Sequence, residues 1–357
     1  MTSAPAAPAA PTAPATRTTR TVRTVLGDID PAQLGVTDSH DHLFIRSPRF
    51  PGQELDDPAA AADVLGAYAT AGGRTLVQWT PWGMGRGADA LAELSRASGV
   101  HVVAATGAHQ TAHYAPGRFP APDARAQDDP APYTDLAGRF VAELTTGLPG
   151  ALEGVRAGLI KIADDAGPLT GHTRRTMAAA AEAHHATGAP IAVHLEPDGD
   201  PHGVLRRLHG RHGVRPDRIV LGHLTRFTDR ALHRSLAAEG VFLALDSPAR
   251  IGHPADLQAF DVIADLVEAG LADRLLLGAD TTTRTARELG GPVRLLTDLA
   301  PRLARTFGPE LPDRLLVANP TAAFAVDWRN PWNGARAEAD PAGSRSGRGW
   351  RSARRSW

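Results

Sequence analysis

His40 and His42, two residues apart in the run TDSHDHL, are the first side chains in this chain able to do chemistry together. On a strand the period of two sends both imidazoles to one face, where they can share a cation. Further along, His194 lies in IAVHLE, His223 in IVLGHL and Asp280 at the end of LLLGAD. Lys161, in GLIKIA, is the sole lysine among 38 basic residues. The bias to Arg, Ala, Gly and Pro looks like high-GC codon usage. Under such drift a lysine persists most readily where arginine cannot do its job. Arginine stays charged, whereas a buried lysine can lose its proton and react. The chain has no cysteine. That excludes disulfides, thiolate metal sites and a cysteine nucleophile, and leaves histidine and carboxylate as the ordinary metal ligands.

Taken singly, each of these residues has a plain alternative: a hydrogen-bonded core histidine, a helix-capping aspartate, a lysine kept by chance. Together, four histidines, an aspartate and the one lysine close five different apolar runs, and that combination points to a metal centre. Five His and Asp ligands are too few for two divalent ions that each keep an open position. An ammonium group cannot bind a cation. A neutral lysine can take up carbon dioxide as a carbamate, whose two oxygens reach two ions. On this reading one ion takes His40, His42, Asp280 and one carbamate oxygen. The other takes His194, His223 and the second oxygen, with a hydroxide between the ions.

The elements that must position these groups are short apolar runs, each followed by turn residues. Eight are recognisable, beginning at residues 37, 75, 101, 158, 191, 219, 241 and 275. They recur about every 34 residues, which suits a strand, a loop, a helix and a return. Helical patterns fill the gaps at 88–98, 134–147, 170–188, 228–240 and 256–270. Near-continuous Val, Ile and Leu implies burial on both faces of a parallel sheet. A single-domain α/β fold is expected, a closed (β/α)8 TIM barrel, whose chemistry sits at the carboxyl ends of the strands. A doubly wound open sheet would carry a glycine-rich first turn, and none follows the first strand. The longest gap, between the third and fourth runs, holds APGRFPAPDARAQDDPAPY as an excursion over one end.

The barrel is expected over residues 25–329. Residues 1–24, rich in Ala, Pro and Thr, are expected to be disordered, without the apolar stretch of an export signal. A cytoplasmic location is the corresponding expectation. The segment 330–357, with six arginines against two acids, reads as a flexible basic tail. The formal net charge of -1 provides no field for gathering nucleic acid, and no apolar run is long enough to cross a membrane.

The order His-x-His, Lys, His, His, Asp over eight strands resembles the binuclear amidohydrolase superfamily, and in particular its phosphotriesterase-related branch. The details are LGVTDSHDHL, GLIKIA, IAVHLEP, IVLGHL, LLLGAD and VANPTAAFAV, covering about residues 25–328. Relatives of the dihydroorotase and hydantoinase type carry a small β-sandwich before the first barrel strand, whereas a leader expected to be disordered precedes His40 here, which favours the phosphotriesterase-related branch. The resemblance implies the ligand set His40, His42, Lys161, His194, His223 and Asp280, two ions that are usually zinc, and Lys161 carboxylated as the bridge. It implies a metal-bridged hydroxide attacking an ester-type substrate, with Asp280 shuttling the proton, and it allows a homodimer.

Substrate choice rests on the strand-end loops. Where phosphotriesterases and related lactonases place an aromatic residue after the third strand, this chain has His109, which could orient substrate or serve a loop hydrogen bond. The positions that hold the substrate phosphate in sugar-phosphate lactonases align with Gly252, Thr283 and Ala286. That clamp is therefore expected to be absent, with Arg250 and Arg284 as partial replacements. Asp246, ending the seventh strand, is expected to orient a ligand instead of serving as one. Lactones or carboxylic esters are favoured over phosphotriesters. The alternative is a catalytically silent barrel that binds partners through its basic tail.

Overall fold

The computed structural model describes residues 20–119, 134–246 and 254–331. Eight parallel strands form one sheet in chain order: β1 (Thr37–Asp41), β2 (Thr75–Gln78), β3 (His101–Gly107), β4 (Leu159–Ala163), β5 (Ile191–His194), β6 (Ile219–Leu221), β7 (Phe242–Asp246) and β8 (Leu275–Gly278). Helices between them pack on the outside, where Leu76, Ile160, Ile191 and Leu243 meet Leu65, Phe140 and Ile263 in one buried cluster. The opposite strand faces, Val77, Val103, Leu159, Ala192, Val220, Phe242 and Leu276, fill the interior as a second cluster. This is the expected (β/α)8 barrel, its strands buried on both faces.

Among the described residues no ladder pairs β8 with β1. The loop after β8 closes that seam instead: Asp280 N donates to His40 O at 2.9 Å, Ala279 N to Asp38 Oδ1 at 3.2 Å and Thr281 N to Asp41 Oδ1 at 2.6 Å. Gly278 permits the approach, because a Cβ there would lie 2.7 Å from His40 O. The seam is thus built from residues of the candidate site. At the other end of β8, Asn319 of the VANPTAAFAV motif donates Nδ2 to Ala272 O and Leu275 O at 2.8 and 2.7 Å.

The expected leader boundary at residue 24 is corrected. Val22–Thr24 pairs antiparallel with Gly27–Ile29 across the base of the barrel. Val22 is buried in the interior cluster with Leu34 and Phe324. Arg23 holds both Asp28 oxygens at 2.7 and 2.8 Å and Leu144 O at 2.7 Å, and lies 3.9 Å over Trp328. A parallel barrel needs its open base covered, and the hairpin adds Val22 and partly buried Ile29 beside Leu34 and Phe324, too few apolar residues for composition to reveal. Residues 1–19, most of the excursion (120–133) and 332–357 of the tail lie outside the described residues. No helix among the described residues is long and apolar enough to cross a membrane.

Arg23→Ala removes a buried charge-assisted hydrogen bond as well as the Asp28 pair, so it should lower unfolding free energy by about 2–4 kcal/mol. An unchanged denaturant midpoint would show that the hairpin is dispensable.

Candidate functional site

The expected histidines and Asp280 lie at or just past the carboxyl ends of their strands, while Lys161 sits at the middle of β4. β1 does not reach there as a regular strand. Thr37 pairs with Thr75 and Asp38 with Leu76, but Asp41 pairs with Gln78, so β1 carries one extra residue between Asp38 and Asp41. This bulge resets which residues face inward and turns His40 and His42 into the barrel. Their ring centroids lie 5.4 Å apart. The His40 ring stacks on Trp79 at 3.6 Å, and the Trp79 indole N–H is anchored on Ser39 O at 2.8 Å.

Asp280 and His223 are the only non-glycine residues with positive φ among those described, at 50° and 62°. Both sit just past a strand end, and such strain persists only where surrounding structure imposes it. Asp280 Oδ1 lies 3.5 Å from His40 Nε2 and 3.6 Å from His42 Nε2. Its Oδ2 lies 3.7 Å from His223 Nδ1. His223 Nε2 and His194 Nδ1 are 2.7 Å apart. These contacts join five of the six expected side chains.

Each imidazole is held from behind. Thr80 Oγ1 donates to Phe44 O at 2.5 Å, so it accepts from His42 Nδ1 at 2.7 Å, leaving the Nε2 lone pair inward. His40 Nδ1 and His223 Nδ1 both lie 3.1 Å from Asp246 Oδ2, which also accepts His223 N at 2.6 Å. His194 Nε2 is 3.4 Å from Glu196 Oε1, and Gln110 Nε2 steadies that oxygen at 2.8 Å. His40 Nδ1 faces Asp246 without a hydrogen bond among the described residues; protons on the outer nitrogens of the other three rings would leave the inner ones as acceptors, as ligands of a cation require.

Lys161 points the same way as Leu159, into the barrel, and is buried. Gly107 lies beside it in the neighbouring strand with φ 111°, and a Cβ there would run into the lysine's carbonyl. Burial lowers Lys161 to about 7, with Asp280 pulling upward and Arg226 downward. Its charge in turn depresses His42, His109 and His194. Burial is the main cause of the low values of His42, about 4, and His194, about 3, and it also holds His223 well below its ordinary value. At neutral pH these imidazoles are uncharged and the amine is partly so, the protonation states in which nitrogen binds metal or carbon dioxide.

His109 is buried beside the cluster, 4.7 Å from His194 and 4.1 Å from His113 between ring centroids. Its loop is pinned by Tyr114, whose hydroxyl accepts His109 N at 2.8 Å, and by His172, which donates to His109 O at 2.8 Å. Arg284 reaches Glu54 at 3.7 Å on the rim, its side chain 59% exposed, away from the ligands. Thr283 accepts Ala286 N as a helix cap. Arg250 and Gly252 lie outside the described residues. Sequence reasoning missed Thr80, Trp79, Glu196 and Gln110. Thr80 ends the apolar run TLVQWT, so the strand-end rule that picked out the ligands also points to it.

The chain matches the Phosphotriesterase family over residues 20–324. It belongs to that family. A phosphotriesterase homology protein of Mycobacterium tuberculosis is 34% identical over 271 residues, 71% of this chain and 78% of the relative. Among solved structures, a lactonase from Listeria monocytogenes superimposes with a TM-score of 0.77 at 26% identity, covering 85% of this chain and 98% of its own. An organophosphorus hydrolase from Deinococcus radiodurans gives 0.73 at 28%, covering 85% and 96%. Family membership accounts for the barrel and for the His/Asp groups that can hold a metal, His40, His42 and Asp280 among them.

Thr80→Val keeps the shape of the side chain and removes the acceptor behind His42. Zinc affinity of the metal-stripped protein should fall about 10-fold to 100-fold, measured by competitive chelator titration. Unchanged affinity would show that the hydroxyl does not orient the ring.

Proposed function

We propose that this member of the phosphotriesterase family is a binuclear metal-dependent hydrolase of ester bonds, acting on lactones or carboxylic esters in preference to phosphotriesters. The observation that carries this reading is the set of four imidazoles, three buried and His194 partly so, whose outer nitrogens face Thr80, Asp246 and Glu196 and which gather with Asp280 at the end of the barrel that also holds a buried lysine of lowered pKa. The donor set fits divalent ions. His40, His42 and Asp280 would hold one and His194 and His223 the other, with Lys161, carboxylated by carbon dioxide, reaching both. Asp246 also lies within ligand distance of His40 and His223. We read it as the brace that fixes both rings, since it faces their Nδ1 atoms while His40 Nε2 faces Asp280.

When bound, two zinc-like ions would acidify a water towards neutrality and polarise the carbonyl or phosphoryl oxygen of the substrate. Asp280 would take the proton from the attacking water and return it to the leaving oxygen. The new C–O bond forms from water as the old ester C–O bond breaks, and no covalent enzyme intermediate is needed. Lys161, once carboxylated, would supply the negative charge that joins the two ligand groups. The names of the similar structures, a lactonase and an organophosphorus hydrolase, support ester-type substrates. Thr283, a helix cap at an expected clamp position, favours substrates without a phosphate. His109, uncharged and lining the cluster, is suited to orient the acyl group by hydrogen bonding.

Metal analysis should find close to two divalent ions per chain, and chelation should abolish hydrolysis of an activated aryl ester. Lys161→Ala should lower kcat/KM by about 100-fold or more, with partial recovery in added short-chain carboxylates. Lys161→Arg should not recover. A fully active Lys161→Ala protein would contradict the bridging role. A panel of lactones, aryl esters and paraoxon-like triesters on zinc-loaded protein tests the substrate order. Deleting residues 330–357 separates catalysis from the tail-binding alternative, which predicts lost function with an intact barrel.

A further inference from the structure

The end of the barrel opposite the ligand cluster carries a cavity of about 230 Å³ between the start of β6, the end of helix Gly171–Thr187 and the strap Val326–Arg329. Four guanidiniums line it, those of Arg20, Arg215, Arg218 and Arg329, with His184 and a single lining carboxylate, Asp327. The cavity is built, not a chance gathering of surface charge. Arg218 is buried and donates Nη1 to Ala325 O at 3.0 Å. Arg329 donates to His184 O at 3.2 Å. Arg215 and Arg218 share the nearby Asp217, and Arg20 lies 3.7 Å from Asp327.

Among the described residues the charges do not balance: four cations face two carboxylates, Asp217 and Asp327. The cations feel one another: after burial, Arg20 and Arg215 push the Arg218 pKa down. His184, held at about 4 chiefly by burial, is lowered further by His185, Arg329 and Arg218. A fold that crowds guanidiniums without matching acids stores repulsion that an anion relieves. A phosphate group near neutrality carries about two negative charges, and guanidinium forks match its tetrahedral oxygens in pairs. The cavity is roomier than one phosphate needs, so a small organic group can accompany it.

We propose that this basal cavity binds a phosphate-type dianion, either inorganic phosphate or a small phosphate monoester, at a site separate from the catalytic mouth. The strand ends that carry the metal ligands lie at the far side of the barrel interior. The bound anion would therefore act by stabilising the base, where the N-terminal hairpin and the strap after the last helix meet through Thr21 and Val326.

The test is calorimetric titration and thermal unfolding of the full chain, zinc-loaded, with inorganic phosphate or glycerol phosphate against sodium chloride of matched ionic strength. Saturable binding and a raised Tm beyond the chloride control are expected. In Arg215→Gln/Arg329→Gln, whose altered side chains are exposed and whose fold should survive, affinity should fall about tenfold or more. Arg218→Gln should weaken binding further. Tighter binding of glycerol phosphate assigns the cavity to a monoester, and equal binding assigns it to free phosphate. Binding of equal strength in wild type and the double variant would place the ion elsewhere and overturn the proposal. So would a Tm shift that chloride reproduces, or binding of a single-stranded oligonucleotide without binding of phosphate.

Discussion

Withdrawal of ionisable nitrogen from water is the constraint on which this structure turns. His40, His42, Lys161 and His223 are all buried. A charged imidazole or ammonium there would lack the water that stabilises it, and burial pushes His42, Lys161 and His223 towards their neutral forms. A neutral nitrogen in a dry site has one good use for its lone pair, which is to meet a cation or an electrophile. The same desolvation that makes the cluster unfavourable on its own makes it a strong host for metal.

Holding such a cluster open requires braces, and the braces come from outside the ligand set. Asp246 sets two rings, Thr80 one and Glu196 one, while Trp79 supports His40 from its face. Buried Asp246 and Asp38 themselves stand above the ordinary carboxylate range, chiefly through desolvation. Asp246 Oδ1 has no hydrogen-bond partner among the described residues. The electrostatic unease of the acids and of the bases is mutual, and both are relieved when positive charge enters between them.

Fold and site are not separable at the seam between β8 and β1. In place of a strand ladder, the closing hydrogen bonds run through Asp280, Ala279 and Thr281 to His40, Asp38 and Asp41. The strained backbone of Asp280 belongs to this closure, and the positive φ of His223 to the equally sharp turn after β6. The geometry of the reaction centre is thereby set by backbone bonds as well as by side-chain packing.

The sequence by itself determined the periodic strands, the barrel they close, the polar residues at their ends and the singular lysine, because burial on two faces and loss of arginine's alternatives leave marks in composition and spacing. The three-dimensional structure alone decided the rest. The bulge in β1 is invisible to a period-two reading, since one extra residue leaves the types unchanged while reversing the face. Gln110 and Glu196 meet from segments 86 residues apart and Thr80 reaches a ring 38 residues away, so even where a strand end singles out Thr80, no local pattern announces which ring each brace serves. Arg284 lay near enough in sequence to suggest substrate contact, but the chain's path turns it to Glu54 on the rim. Val22 and Arg23 read as leader and became the plug, because a single apolar side chain acquires meaning only when an open barrel end lies above it.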